Sequence, residues 1–222
     1  MRISPRRAVI GGLALLLALL LLYPFLVLVR AYWVTPEVLA TARQLEREGL
    51  AWSQVPAEWR DVLLQVEDPG FYEHHGVDVS TPGAGMTTIT QGLVKMHYFE
   101  RFRPGFERKL RQSLMAVVLD RKMPKDLQLT LLLNTSNLGT SQDGPVIGFP
   151  AAAESYFGVP FHRLQRREFV SLVAMLVGPN RYHPYHHPDE LADRVRRIEA
   201  LLAGRCRPSS WKDVFLEDCK AG

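Results

Sequence analysis

The chain has 222 residues, 47% of them hydrophobic, and carries 27 Lys and Arg against 23 Asp and Glu. Residues 8–29 contain no charged side chain and are long enough to cross a bilayer core, which takes about 20 residues. Arg2, Arg6 and Arg7 precede that run, so the remaining 24 basic and 23 acidic residues leave the rest of the chain nearly neutral. This charge distribution argues against nucleic-acid binding, because such proteins gather positive charge on the folded domain.

The three arginines before the apolar run predict its orientation. By the positive-inside rule, residues 1–7 are a cytoplasmic N-terminus, residues 8–29 form a transmembrane anchor, and the remainder lies on the periplasmic or extracellular side. The alternative is a cleaved signal peptide, but its apolar core is usually about 7–15 residues and ends at a small-x-small site. We therefore expect an uncleaved single-pass protein of the cytoplasmic (inner) membrane.

Helix signals follow the apolar run in chain order. Thr35-Pro36-Glu37 predicts a helix start and Gly49 its end, within a helical linker of residues 30–54. Apolar residues then recur at i, i+3, i+4 and i+7, which marks the buried face of a second helix: Trp59, Val62, Leu63 and Val66. Further helices are expected from near Thr88, over roughly residues 106–122 and over residues 189–203, and no convincing set of alternating strands is visible.

Glu67 is expected at the end of the second helix, because Asp68 precedes Pro69 and resists helical geometry. The negative end of the helix dipole and the adjoining apolar face both disfavour an ionised carboxylate, so they should raise the pKa of Glu67. A raised pKa suits a general base. For an isolated glutamate, the alternative is an exposed helix-end acid with no function.

Several motifs follow one another in register. Residues 67–76 have the form E-D-x-x-F-x-x-H-x-G, residues 85–96 read GMTTITQGLVKM and residues 108–112 read RKLRQ. Residues 125–134 begin with K-D and end with L-N, and AAESYFG and PNRYHP follow at residues 152–158 and 179–184. Together they resemble the signatures of the family 51 peptidoglycan glycosyltransferases over roughly Val55 to Pro184. One such motif is weak evidence, whereas six in order are strong.

The resemblance implies a fold and a reaction. We expect a mostly α, lysozyme-like glycosyltransferase domain over residues 55–204, with a large lobe and a small membrane-facing lobe, preceded by one transmembrane helix. Its substrate would be lipid II, a disaccharide peptide on undecaprenyl diphosphate. The reaction would join the sugars into glycan strands for cell-wall synthesis, with inversion at the anomeric carbon and loss of the lipid diphosphate.

The resemblance also assigns site residues. Glu67 would be the general base, and the diphosphate would lie against Lys95 and nearby arginines with help from a divalent cation such as magnesium. The positions that match the substrate-binding motifs are Asp68, Phe71, His74, Gly76, Thr87, Thr88, Gln91, Lys95, Arg103, Arg108, Lys109 and Asn134. The implied partners are lipid II, the membrane and other cell-wall synthesis proteins, with no nucleic acid.

The second motif has a physical interpretation of its own. Thr88 and Gln91 match a capping box, in which each side chain satisfies an orphan backbone donor at a helix start. Together with Lys95 they also share one polar face, and a helix N-terminus with a lysine is a suitable anion site. The aromatic and basic segment 97–106 is either a solvated loop or a membrane-surface segment.

The main departure from the family pattern is Gln112, which stands where the family has its second conserved acid. Glutamine cannot hold a metal by charge or act as an acid. Three functions therefore stay open: an active polymerase, a catalytically impaired pseudoenzyme that binds lipid II or acts as a scaffold, and a lysozyme-like hydrolase. A hydrolase needs a second carboxylate that the chain does not evidently offer. If the site is merely impaired, Gln112→Glu is expected to raise polymerisation.

The C-terminal tail, residues 205–222, contains both cysteines. Cys206 and Cys219 lie on the oxidising side in the predicted topology, where a disulfide would pin the tail, and two unpaired thiols are the alternative. The histidines of residues 183–187 favour a surface turn over a metal site, because prolines flank them and no Cys or acid supports them. About 20 residues after the domain are too few for a transpeptidase domain.

Overall fold

The computed structural model describes residues 5–82, 85, 87–101, 103, 105–210 and 212–219. For residues 5–12, 14, 15 and 19 it describes the backbone alone. The segments considered above include residues that lie outside the described ones: 1–4, 83, 84, 86, 102, 104, 211 and 220–222.

Helix α1 (Pro5–Glu48) carries the whole apolar run and continues into the body of the protein. The predicted helix start at Thr35 is therefore wrong, because both Pro24 and Pro36 lie inside one helix. A proline removes one backbone hydrogen bond, and packing around it can offset that loss. Here the Thr35 hydroxyl lies 2.7 Å from the hydroxyl of buried Tyr98, which ties α1 to the body next to Pro36.

The N-terminal half of α1 has the properties of a membrane span. Within the described part of the chain, it is the one helix long and apolar enough to cross a membrane. Its large apolar side chains are exposed along the run, including Leu16, Leu17, Leu20, Leu21 and Phe25. The body does not cover these side chains, whereas a bilayer would.

The body is mostly helical, as predicted. Its described helices are α2 (Ala57–Glu67), α3 (Ile89–His97), α4 (Phe106–Lys122), α5 (Lys125–Thr135), α6 (Phe149–Phe157), α7 (Arg166–Leu176) and α8 (Pro188–Leu202). The expected end of α2 at Glu67, the start of α3 after Thr88 and the bounds of α4 are confirmed. Short 3-10 turns occupy Trp52–Gln54, Phe161–Arg163 and Glu217–Cys219.

One β-hairpin was missed by the sequence analysis. Strands β1 (Asn137–Ser141) and β2 (Gly144–Ile147) pair antiparallel, with Ser141 opposite Gly144 and an irregularity between Asn137 and Thr140. The strands are short and their pairing is irregular, so the apolar and polar residues do not alternate regularly. Gly144 adopts a φ of 122°, which other residues rarely do.

Helix α5 forms the centre of the core and positions the helices that carry the motifs. Its apolar side chains are buried on almost every side: Leu127, Leu129, Leu131, Leu132 and Leu133. It packs against α1, α3 and α6. A helix that is apolar all round is stable only when other elements surround it, which explains its central place.

The C-terminal tail is closed by a disulfide between Cys206 and Cys219. The expected bridge is therefore present. It fixes the last described turn, Glu217–Cys219, against α8.

Candidate active site

Glu67 is the last residue of α2, at the end of a helix whose inner face is buried. Asp68 leaves helical geometry with φ −161° and ψ 77°, as expected for a residue that precedes a proline. Burial raises the pKa of the half-buried Glu67 from an ordinary 4.5 to about 7, while the charge of Arg194 lowers it and that of Asp68 raises it. The predicted upward shift is confirmed, and burial is its main cause.

Asp68 connects the first two motifs. Its fully buried carboxylate accepts a hydrogen bond from the backbone N–H of Ile89 at 2.9 Å and lies 3.0 Å from Nε2 of His74. Ile89 is the first residue of α3, where a carboxylate satisfies an orphan donor and the positive end of the helix dipole. Asp68 therefore holds the end of α2, and with it Glu67, against the start of α3.

Thr88 and Gly76 make a second connection between the same motifs. The Thr88 hydroxyl donates to the Gly76 carbonyl at 2.8 Å and accepts from the Gln91 N–H at 3.1 Å. The predicted capping box is confirmed, because the Gln91 side chain also accepts from the Thr88 N–H at 3.1 Å. Gly76 has a φ of +87°, and a Cβ there would lie 2.6 Å from the Ala116 carbonyl oxygen. Only glycine allows this loop to approach α4 so closely.

Lys109 brings the third motif to the same helix start. Its Nζ donates to the Thr87 hydroxyl at 3.0 Å and to Oε1 of Gln91 at 3.3 Å. The amide nitrogen of Gln91 donates to the Ser113 hydroxyl at 2.8 Å. Burial lowers the pKa of Lys109 to about 8, so the ammonium form still predominates at neutral pH. A cation thus lies beside the N-terminus of α3.

Gln112 occupies the second acid position and is almost completely buried. Its Nε2 donates to the backbone carbonyl of Gln91 at 2.7 Å. A carboxylate has no proton to donate in this place unless it is protonated. Asp68, the neighbour of Glu67, binds the first residue of α3, and Gln112 binds a residue in its first turn, so the two motifs are joined at one helix start.

The remaining predicted cations are more exposed. Lys95 lies in the last turn of α3, and Arg103 lies in the loop before α4. Arg108, in the first turn of α4, donates to the Arg101 carbonyl at 2.8 Å. These side chains remain near solvent, where an anionic ligand can reach them.

Phe71 and His74 are held by internal contacts. The Phe71 ring is fully buried, and Nζ of Lys125 lies 4.4 Å from its centroid while donating to the His74 carbonyl at 2.9 Å. Lys125 also pairs with Asp120 at 2.7 Å. The loop that follows Glu67 is therefore fixed against α5.

Asn134 is also engaged within the protein. Its Oδ1 accepts from the Leu50 N–H at 2.9 Å, and its Nδ2 donates to the Leu50 carbonyl at 2.9 Å and the Thr130 carbonyl at 2.7 Å. These bonds fasten the end of the α1 segment to α5. Its assignment to substrate binding stays a prediction, as do those of Thr88 and Gln91.

The residues at the second acid position do not fit a magnesium site. Magnesium is usually held by carboxylate oxygens together with substrate phosphates. Gln112 offers no charge and directs its amide nitrogen to a carbonyl, and Lys109 adds a positive charge nearby. Within the described ranges, no three His, Cys, Asp or Glu side chains come together as potential metal ligands.

The sequence analysis missed Arg194, whose charge acts on Glu67 from α8. A signal was present, because Arg194 falls within the apolar stripe formed by Leu191, Val195 and Ile198. A charged residue in such a stripe is rarely buried without a partner.

A protein-family model described as Transglycosylase matches residues 35–203. The chain belongs to the transglycosylase family. This match covers the motifs, both flanks of the α3 start and α8.

Several penicillin-binding proteins are similar to this transglycosylase chain. Penicillin-binding protein 1B of Buchnera aphidicola subsp. Acyrthosiphon pisum is 34% identical over 183 residues, 75% of this chain and 24% of that protein. Penicillin-binding protein 1B of Escherichia coli is 34% identical over 155 residues, 64% of this chain and 18% of that protein. Penicillin-binding protein 1F of Bacillus subtilis is 32% identical over 169 residues, 70% of this chain and 23% of that protein. The chain thus matches only about a fifth to a quarter of the length of these relatives.

Proposed function

We propose that this transglycosylase is a peptidoglycan glycosyltransferase that polymerises lipid II, with Glu67 as general base. The observation that carries the proposal is Glu67 itself, a half-buried carboxyl with a pKa of about 7 at the end of α2. The neighbouring Asp68 binds the first backbone N–H of α3, which fixes the end of α2. A base is most effective when its pKa lies near the working pH. An exposed glutamate with an ordinary pKa would be a much weaker base.

In the proposed reaction, Glu67 takes the proton of the acceptor 4-hydroxyl. The acceptor oxygen forms a bond to the anomeric carbon of the donor from the face opposite the diphosphate. The bond from that carbon to the diphosphate oxygen breaks, and the lipid diphosphate leaves with the electron pair. The configuration inverts, and the proton remains on the Glu67 carboxyl until it passes to solvent.

The donor diphosphate is proposed to bind against four cations: Lys95, Arg103, Arg108 and Lys109. Lys95 lies in the last turn of α3, Arg103 in the loop before α4, and Arg108 and Lys109 in the first turn of α4. Fixed cations stabilise the negative charge that develops on a leaving diphosphate. Because Gln112 and Lys109 do not form a cation site, no step of this mechanism depends on a bound metal.

The membrane supplies the substrate in this proposal. The hydroxyl of Tyr23 in α1 donates to Glu107 in the first turn of α4, and Nζ of Lys122 lies 3.1 Å from the ring centroid of Tyr32. The start of α4 thus lies beside residue 23. Along the axis of α1, residue 23 lies about 9 Å before residue 29, where the apolar run ends. Phe106 there is 88% exposed, which supports a membrane-facing lobe. With residues 1–7 in the cytoplasm, this lobe meets the outer leaflet of the inner membrane.

Gln112 favours one second candidate, a lipid II-binding protein without turnover. A neutral side chain replaces an acid beside the proposed diphosphate site, and loss of one preorganised group often costs about 3 kcal/mol of transition-state stabilisation. The remaining catalytic groups match, so we place polymerisation first.

The two candidates differ in an assay with fluorescent lipid II and the full chain in detergent, with magnesium or with EDTA. Polymerisation predicts glycan products by gel electrophoresis under both conditions. Saturable binding of lipid II without product under either condition would instead support the second candidate.

A further inference from the structure

We propose that Arg194 is a positioning residue for the general base: from α8, its buried guanidinium favours the ionised carboxylate of Glu67 and sets the pH above which the site works. This inference rests on the proposed function, because it assigns Arg194 a role through Glu67. Arg194 itself is not proposed to touch the substrate.

The first observation is the burial of Arg194. It is 1% exposed and lies within the apolar stripe of α8. Its Nε and Nη1 are buried and have no hydrogen-bond partner among the described residues. An arginine stays protonated inside a protein, so it carries a full positive charge here. Such a charge is strongly unfavourable unless an anion compensates it.

The second observation is which groups surround that charge. The guanidinium carbon lies 5.4 Å from the ring centroid of Tyr182, which gives a cation–π contact. Arg181 and Arg197 are like charges that disfavour the protonated guanidinium, whereas Glu67 favours it. The charge of Glu67 thus favours the protonated guanidinium, and α2, which ends at Glu67, packs against α8.

The effect on Glu67 is reciprocal. Burial and the charge of Asp68 both favour the protonated carboxyl, and Arg194 is the group that opposes them. Asp68 itself is engaged with His74 and the Ile89 N–H. Without Arg194, the pKa of Glu67 would lie above 7 and less of the base would be ionised at neutral pH.

A second arginine on the same helix shows what a purely structural arginine looks like. Arg197 pairs with Asp193 and with Glu217 at 3.3 Å, and it donates to the Phe215 carbonyl at 2.7 Å. Its partners belong to α8 and the C-terminal tail. Arg197 is therefore a matched control: it is buried on the same helix and has the same charge but serves the tail rather than Glu67.

The test is the pH dependence of lipid II polymerisation by the full chain with Arg194→Met, Arg194→Lys and Arg197→Met. Arg194→Met should move the midpoint of the acid limb of kcat/KM upward by about one pH unit, which is about a tenfold loss below the midpoint. Activity should recover at alkaline pH, and Arg194→Lys should keep a midpoint nearer to that of the wild type. Arg197→Met should leave the midpoint in place, whatever its effect on stability. An equal loss at every pH with Arg194→Met would overturn the inference.

A titration that needs no turnover separates this inference from the proposed function. Carboxyl-13C glutamate NMR of the full chain, with Glu67→Gln to assign the signal, reports the midpoint of Glu67 directly. The midpoint should rise in Arg194→Met, or in Arg194→Gln if the methionine variant does not fold. An unchanged midpoint would overturn the role of Arg194, whereas a chain that shows the shift but makes no polymer would contradict only the proposed function.

Discussion

Replacing Glu67 by glutamine should stabilise the folded chain at alkaline pH while removing the proposed base. Burial raises the pKa of Glu67 from 4.5 to about 7. Each pKa unit corresponds to about 1.4 kcal/mol, so the ionised carboxylate costs the folded state about 3 kcal/mol. Because the pKa of Glu67 is higher in the folded than in the unfolded chain, the protonated carboxyl favours the folded state. That stabilisation is fully present below about pH 4.5 and is lost as the pH rises through about 7.

The expected result is a pH-dependent difference between the two proteins. When the pH rises from 5 to 8.5, the free energy of unfolding of the wild type should fall by about 2–3 kcal/mol more than that of Glu67→Gln. For a chain of this size, that corresponds to a difference in Tm of about 5–10 °C. The matched control is Glu73→Gln, which removes the same charge from an exposed residue of the next loop.

Unfolding can be followed by tryptophan fluorescence in detergent, since the chain has four tryptophans. Heating and urea titrations at pH 5 and at pH 8.5 would give the differences in Tm and in the free energy of unfolding between the two proteins. The account of Glu67 is refuted if Glu67→Gln and the wild type lose stability in parallel from pH 5 to pH 8.5. A stabilised but inactive variant is the outcome expected when a functional carboxyl destabilises the fold.

Three further substitutions test the contacts around α3 and the tail. Gly76→Ala should lower the free energy of unfolding by more than about 1 kcal/mol in a urea titration, because its Cβ would meet the Ala116 carbonyl at a φ of +87°. The control is Gly92→Ala, whose Cβ would have nothing within 4 Å, and it should be neutral or stabilising. Gln112→Glu should lower the free energy of unfolding by about 1–3 kcal/mol at pH 8, since it removes the donor to the Gln91 carbonyl; an unchanged Tm by fluorescence would contradict that bond. Replacing Cys206 and Cys219 together by serine should cost about 3 kcal/mol by urea titration and abolish the effect of reductant on Tm.

The structure also changes the interpretation of Gln112→Glu. From the sequence, this substitution restores a missing acid and should raise activity. In the structure, the amide of Gln112 donates to the Gln91 carbonyl, so a carboxylate would face an acceptor. Restoring the acid therefore competes with a lost hydrogen bond, and a failure to gain activity would not by itself exclude catalysis.

Local signals predicted the parts of the fold that local physics controls. The apolar spacing of α2, the proline after Asp68 and the cap at Thr88 each act within a few residues, and each was confirmed. The upward shift of the pKa of Glu67 was also accessible, because it follows from a helix end with a buried face.

Features that depend on distant contacts were not accessible in the same way. The continuity of α1 through Pro36 depends on packing that includes the contact of Thr35 with Tyr98, which is 63 residues away. The hairpin at β1 and β2 lacks regular alternation. The action of Arg194 on Glu67 joins α8 to α2, and the sequence shows only that a charge interrupts an apolar stripe.

The most direct test of the account is single-turnover polymerisation of labelled lipid II by the wild type, Glu67→Gln and Glu73→Gln, each as the full chain in detergent. The account predicts glycan strands from the wild type and from Glu73→Gln. For Glu67→Gln it predicts retained lipid II binding with product formation reduced at least about a hundredfold, the size expected for loss of a general base. Equal product formation by Glu67→Gln and the wild type would contradict the central role given to Glu67.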